Sequence, residues 1–427
     1  MKRVCLFVIG IALLVAGCGG SGGSSSTTSG NGGHVNIVIW HGYTQAEATA
    51  IKTLTNEFNA THPNITVTPQ FYGNSDYALQ KVLAAIAGGK PPDISYLYGS
   101  WAANIATNPG TVNLTPYVSQ SSFGWSDFWP AERNVATVNG KVIGVPALVD
   151  NLALVYNKRL FAQAGLAPPT PSWTWSDFEN AAIKLTNPAK KQFGWAYVND
   201  ASEDTVWRYW ALLWQAGGSI LTPDGKHAAF DSPAGVKALT FLQTLAQHHA
   251  IYFDNGSGNY LGLFTSGHIG MLYTGPWDLG QITAGNQPYG VQILPGDQNH
   301  QTISGPDNWV VFNNGAARVK AAVEFLKWFT SPAIDLKWCL MTGDLPIRAA
   351  VAKLPGYKQF IQKYPGVGTW VENLNNATQS RPVTTTYPKI STVIGQMVQS
   401  VLLGKAQPQQ ALSSAAQQVN GILAAPS

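Results

Sequence analysis

Apolar and polar positions in the first hundred residues switch between two periods. Val35–Trp40 is a short apolar run, and Thr44–Thr61 then places Ala48, Ile51, Leu54 and Phe58 at helical spacing. Ile65–Phe71 sets Ile, Val, Pro and Phe against Thr and Gln in alternation, a second helix fits 75–87 ahead of Gly88-Gly89, and Pro92–Tyr98 is a third strand. Strand, helix, strand, helix, strand predicts an α/β fold with a parallel sheet covered by helices. Ligands of such sheets sit beyond the carboxyl ends of the strands. Trp40, His41 and Tyr43 lie at one such end, and Tyr98, Ser100 and Trp101 at another, so both groups are expected to face one crevice.

Further along, Val142–Leu148 and Leu152–Tyr156 are apolar runs rich in branched residues, interrupted by Asp150 and Asn151. Two readings fit that interruption. Asp and Asn initiate turns, and a carboxylate set between buried strands also suits a crevice between two lobes, aimed at a ligand rich in hydrogen-bond donors. Asn139-Gly140 predicts a hairpin turn just upstream. Ser176 with Glu179 reads as a capping box, and Ser232-Pro233 and Ser331-Pro332 as helix starts. Asp204–Gln215 is a helix with Trp207, Trp210 and Trp214 along one face, a packing stripe by spacing. The strand Ile269–Tyr273 delivers Gly275-Pro276-Trp277-Asp278 to a loop much as the first strand delivers Trp40. Strands over 289–294 and 309–313 flank Ser304-Gly305-Pro306-Asp307, a helix covers 317–329, Gly343–Arg348 is a loop with a basic tip, and two helices follow Tyr387.

At 427 residues the chain suggests two compact domains. Its start has a different logic. Lys2 and Arg3, an apolar stretch over Leu6–Ala16 and the tetrapeptide Val15-Ala16-Gly17-Cys18 predict a signal peptide over 1–17 whose end resembles the lipobox of bacterial lipoproteins, with Cys18 as the lipidated residue. Residues 18–33 continue as an uncharged Gly/Ser/Thr/Asn tether. With Cys5 and Cys18 so assigned, Cys339 has no partner for a disulfide and is expected in the core. The formal charge of +4, lowered further when Lys2 and Arg3 are removed, is too weak a bias for nucleic acid.

Several chemistries find no residues to carry them. Gly88-Gly89-Lys90-Pro91 lacks the Ser or Thr and the spaced glycine of a phosphate loop. The eight histidines are scattered, and no metal or cofactor is expected. Ser257, in Gly256-Ser257-Gly258, does not fit a nucleophile elbow. What is abundant is tryptophan, fifteen in all, and isolated carboxylates. An indole face matches the C–H face of a sugar, while carboxylates, Asn and Arg take its hydroxyls.

The lipobox at Cys18, Trp40-His41, Pro92-Asp93, the run Pro146–Lys158, Gly275-Pro276-Trp277 and Leu345–Arg348 together resemble the extracellular sugar-binding lipoproteins of bacterial ATP-binding-cassette (ABC) importers, of the maltose and trehalose type. The resemblance covers the whole body after the tether. It implies a two-lobed periplasmic-binding-protein fold with a hinge and an interlobe cleft. The N-terminal lobe would be 34–148 with 291–330 and the C-terminal lobe 149–290 with 331–427, with crossings near Val149, Gly290 and Thr330. It further implies that Asp150 binds hydroxyls, Trp277 stacks on the ring, Arg348 closes over the ligand and Gly305 lines the site. With the strand-end residues, the candidate ligand-binding set is Trp40, His41, Tyr43, Asp93, Tyr98, Ser100, Asp150, Asn151, Trp207, Trp277, Asp278, Gly305, Asp307 and Arg348. Relatives often carry an aromatic where Leu148 and Pro306 stand and an acid where Tyr98 stands. The implied partners are a mono- or oligosaccharide and the permease subunits of the importer, with membrane contact through the lipid anchor alone, a monomeric body and a place on the outer face of the cell membrane or in the periplasm. A receptor for glycerol phosphate should show more than one Arg or Lys in the cleft. A glycoside hydrolase would need two carboxylates about one bond, for which Asp150 and Asp278 are the candidates.

Overall fold

The computed structural model describes residues 33–425. The signal segment, Cys18 and all of the tether but its last residue lie outside them. In chain order the strands are β1 (Val35–His41), β2 (Ile65–Phe71), β3 (Ile94–Tyr98), β4 (Thr137–Val138), β5 (Lys141–Val142), β6 (Gly144–Leu148), β7 (Ala153–Asn157), β8 (Phe193–Val198), β9 (Ile251–Asp254), β10 (Ile269–Thr274), β11 (Tyr289–Gln292) and β12 (Asp307–Val311). Two five-stranded sheets result, ordered β2-β1-β3-β12-β6 and β11-β7-β10-β8-β9, beside the β4–β5 hairpin. That hairpin turns on Asn139 (φ 50°) and Gly140 (φ 74°), the left-handed pair that an Asn-Gly turn supplies.

In the first sheet β1 pairs parallel with β2 and β3, while β12 runs antiparallel between β3 and β6. The second sheet sets β8 parallel to β9 and β10, with β7 antiparallel to β10 and β11. Every residue of β6 and of β7 is buried, as a continuous apolar run requires of strands covered on both faces. These two consecutive strands belong to different sheets, so the chain changes sheet over residues 149–152. It changes back between β11 and β12, and a backbone bridge between Asn151 and Ser304 ties the two crossings together. Asp150 therefore sits at the junction of the lobes, in an irregular crossing where no hydrogen-bonded turn forms.

The helices Gln45–Thr61 and Ala316–Phe329 pack on the first sheet, and Trp175–Leu185 and Glu203–Gln215 on the second. Pro233–Gln247, Tyr387–Leu402 and Pro408–Ala424 complete the second layer. Its core is heavily aromatic, with Trp195, Trp210, Trp214 and Tyr209 fully buried, so two of the three tryptophans in the expected stripe are packing residues.

Two expectations need correction. The lobe boundary near Thr330 is misplaced, because the helix Pro332–Thr342 packs against Gln45–Thr61 and Ala316–Phe329. Its Ile334, Leu336, Trp338 and buried free Cys339 share a core with Ile37, Ile51 and Phe58. The chain rejoins the second sheet only at the helix Val367–Asn373, beside β7 and β11. Likewise the capping box is Thr174 with Asp177, not Ser176 with Glu179. The Asp177 amide donates to the Thr174 hydroxyl (3.2 Å) and the Thr174 amide to the Asp177 carboxylate (2.8 Å). The helix starts early because Trp175 is buried against Phe241, their ring centres 4.8 Å apart.

Candidate ligand-binding cleft

A cavity of about 370 Å³ opens where the ends of the two sheets meet. Of the candidate residues, Tyr43, Tyr98, Asp150, Trp207, Trp277, Gly305 and Asp307 line it together. The first sheet supplies the polar wall. Asp307, at the start of β12, accepts from the Tyr96 hydroxyl (2.5 Å) and the Gly99 amide (3.2 Å), and burial raises its pKa to about 7. Asp150 accepts from the Gly305 amide at 2.7 Å, and burial, then the nearby Asp307, pushes its pKa well up. Gly305 has no room for a side chain, since a Cβ would stand 2.7 Å from that carboxylate.

The second lobe supplies two indoles. Trp277 leaves the end of β10 on a tight turn and folds back over Gly275, where a Cβ would fall 1.8 Å from the indole. Trp207 stands beside it at 5.6 Å and 56°, with an indole nitrogen that has no partner among the described residues. One to two helical turns before the other two tryptophans of its helix, it is the member of the stripe that reaches the cavity.

Seven candidates lie elsewhere. The two-residue period of β1 sends Trp40 to the opposite face from His41, where its indole donates to Gln70 at 3.1 Å and its ring meets Tyr72. His41 is buried behind Tyr43, stacked on it at 5.7 Å, and burial lowers its pKa to about 4, which keeps the imidazole neutral. Asp93 is at the amino end of β3, the wrong end for a ligand, where it takes the Val38 amide (2.8 Å) and the Arg318 guanidinium (2.6 Å). Ser100 is buried in the turn after β3. Asn151 holds the crossing, donating to the Trp370 carbonyl and accepting from Asn373, each at 2.8 Å. Asp278 turns inward to Tyr260 (2.8 Å) and Thr274. Arg348, expected over the ligand, is spent on carbonyls: its guanidinium donates to Gly124 (2.7 Å), Phe123 (3.0 Å) and Thr330 and lies 3.8 Å above the Phe128 ring.

The cavity also holds residues that the sequence reading missed. Glu47 is in the first turn of the helix after β1, and Asp76 follows β2, accepting from the Tyr98 hydroxyl at 3.2 Å. Ser257 follows β9. The rule that finds Tyr43, applied to every strand end, would have found Asp76 and Ser257. Arg381 replaces Arg348 as the cleft's base, paired with Glu203 at 2.8 Å; it comes from an irregular stretch with no pattern to mark it. A larger groove of about 1040 Å³ runs between the helices Trp175–Leu185 and Pro233–Gln247. Its walls come from the second lobe alone, so an occupant could not favour closure of one lobe on the other.

Residues 53–369 match the family model of bacterial extracellular solute-binding proteins. The chain belongs to that family. Among solved structures it is similar to a solute-binding protein of an ABC transporter from Thermotoga lettingae bound with α-D-tagatose, with a TM-score of 0.82 and 28% identity over 91% of this chain and 99% of that one. A cyclic α-maltosyl-1,6-maltose binding protein from Arthrobacter globiformis gives a TM-score of 0.74 at 28% identity, covering 92% and 99% of the two chains. In sequence it is 25% identical over 409 residues to the sn-glycerol-3-phosphate-binding periplasmic protein UgpB of Pectobacterium atrosepticum, 91% of each chain. This solute-binding protein thus has the two-lobed fold of its family and acts outside the cytoplasm, with its cavity at the junction between the lobes.

Proposed function

We propose that this solute-binding protein captures a mono- or oligosaccharide between its lobes and hands it to the permease of an ABC importer, tethered to the membrane through a lipid on Cys18. One observation carries the reading: a pair of indoles from one lobe stands against Asp150 and Asp307 from the crossing and the other lobe, across a cavity of about 370 Å³. The ring faces suit the C–H face of a sugar and the carboxylates its hydroxyls. Because the contacts come from both lobes, the ligand favours the closed form, and closure presents a matched surface to the permease. No catalytic step is assigned, since Asp278, the partner that a hydrolytic reading would give Asp150, faces Tyr260 and Thr274 instead.

The name of the enterobacterial relative favours glycerol phosphate as a second reading. The charge of the cavity opposes it, for Arg381 is the one base among its described lining residues and is already paired with Glu203. Calorimetric titration of the purified protein with mono- and disaccharides and with glycerol phosphate tests the choice. A saccharide is expected to bind at about micromolar affinity or better without turnover. Trp277→Ala should weaken binding by about ten- to a hundredfold at unchanged fold, read by calorimetry and circular dichroism. Heat from glycerol phosphate alone would sink the saccharide reading.

A further inference from the structure

The cleft carries more carboxyl groups than its own bases pair with. Two of its carboxylates are matched: Glu203 by Arg381, and Asp204 by Arg208 one helical turn away. Four others, Glu47, Asp76, Asp150 and Asp307, line the same cavity and make no ion pair among the described residues. The partners of Asp76, Asp150 and Asp307 are neutral donors, namely the hydroxyls of Tyr98 and Tyr96 and the amides of Gly305 and Gly99. Glu47 reaches the cavity from the first turn of its helix. The site is also built to receive something: Tyr43 and Trp207 line it, are more than nine-tenths buried, and leave a phenol oxygen and an indole nitrogen unpaired.

We infer that the cleft selects a saccharide bearing a protonated amine over the same saccharide without one. This deepens the saccharide reading above and rests on it. A neutral sugar can hydrogen-bond the four carboxyl groups but brings no charge that favours their ionised forms. An ammonium group donates hydrogen bonds and also favours the ionised carboxylates, at the low effective dielectric of a closed cleft, and the tilted faces of Trp207 and Trp277 add a cation–π contribution. A phosphate meets repulsion from whichever of the four are ionised and finds Arg381 already paired, so discrimination runs against anions as well as toward cations. Burial holds Asp307 and Asp76 at about 7 and pushes Glu47 and Asp150 well up. Part of the set therefore keeps its protons near neutral pH and sheds them when a cation arrives.

The test is calorimetry near neutral pH with matched amine-bearing, neutral and phosphorylated forms of the same mono- and disaccharides, for example glucosamine, glucose and glucose 6-phosphate. The amine form is expected to bind about tenfold tighter or better than the neutral form. Its binding heat should vary with the ionisation enthalpy of the buffer, reporting proton release. Glu47→Gln should shrink the amine-to-neutral ratio several-fold. Equal or tighter binding of the neutral form, or an unchanged ratio in Glu47→Gln, overturns the charge inference and leaves the saccharide reading standing. Heat from the phosphorylated form alone, or from no sugar at all, overturns both.

Discussion

Two arginines show how the same side chain is used in opposite ways. Arg348 and Arg381 are 3% and 7% exposed, both in irregular segments that follow a helix. Arg348 gives its donors to three backbone carbonyls of two other segments and lies flat on Phe128, so it fastens Phe123, Gly124 and Thr330 to the loop that carries it. Arg381 faces a carboxylate, and that carboxylate also takes the hydroxyls of Tyr387 and Ser391. Carbonyl acceptors make a clip; a carboxylate at the edge of a cavity makes a charge that a ligand can feel.

The largest effect should come from breaking the clip. Arg348→Ala strips three carbonyls of their donor and is expected to cost about 3–5 kcal/mol, read from urea denaturation midpoints, while the folded fraction binds ligand as before. A stable variant that had lost binding would put Arg348 back in the site and end the contrast. Arg381→Gln should cost less, about 2–3 kcal/mol, because Glu203 keeps its two hydroxyl donors. Unlike the first variant it should weaken saccharide binding, by about tenfold in calorimetry. The smallest change is expected from Asp127→Asn. This acid stands 3.9 Å from Arg348 and is 28% exposed, so loss of its charge should move stability by less than about 1 kcal/mol. A larger drop would mean that Arg348, too, is held by charge.

The contrast also explains what could be read from the chain beforehand. Strands β1 to β3 were legible because alternation and the carboxyl-end rule are local, and they led to Tyr43 and Tyr98. Leu345–Arg348 and Pro92-Asp93 were legible as motifs, yet their function was not, since each serves the frame: one clips loops together, the other joins β1, β3 and the helix that starts at Ala316. Nothing in the composition of 377–386 announces Arg381, which reaches the cleft only through tertiary packing of the helices Tyr387–Leu402 and Glu203–Gln215. Glu47 hid for another reason: in sequence it is an ordinary acid in the first turn of a helix, where dipole complementarity already accounts for it.

The pairing of Trp207 with Trp277 has an optical consequence. Two indoles with centres 5.6 Å apart and planes inclined by 56° couple their electronic transitions, which gives a signed pair of bands in the ultraviolet dichroism. A guest sliding between or over them would alter that couplet, so the molecule carries its own spectroscopic gauge of occupancy with no dye attached.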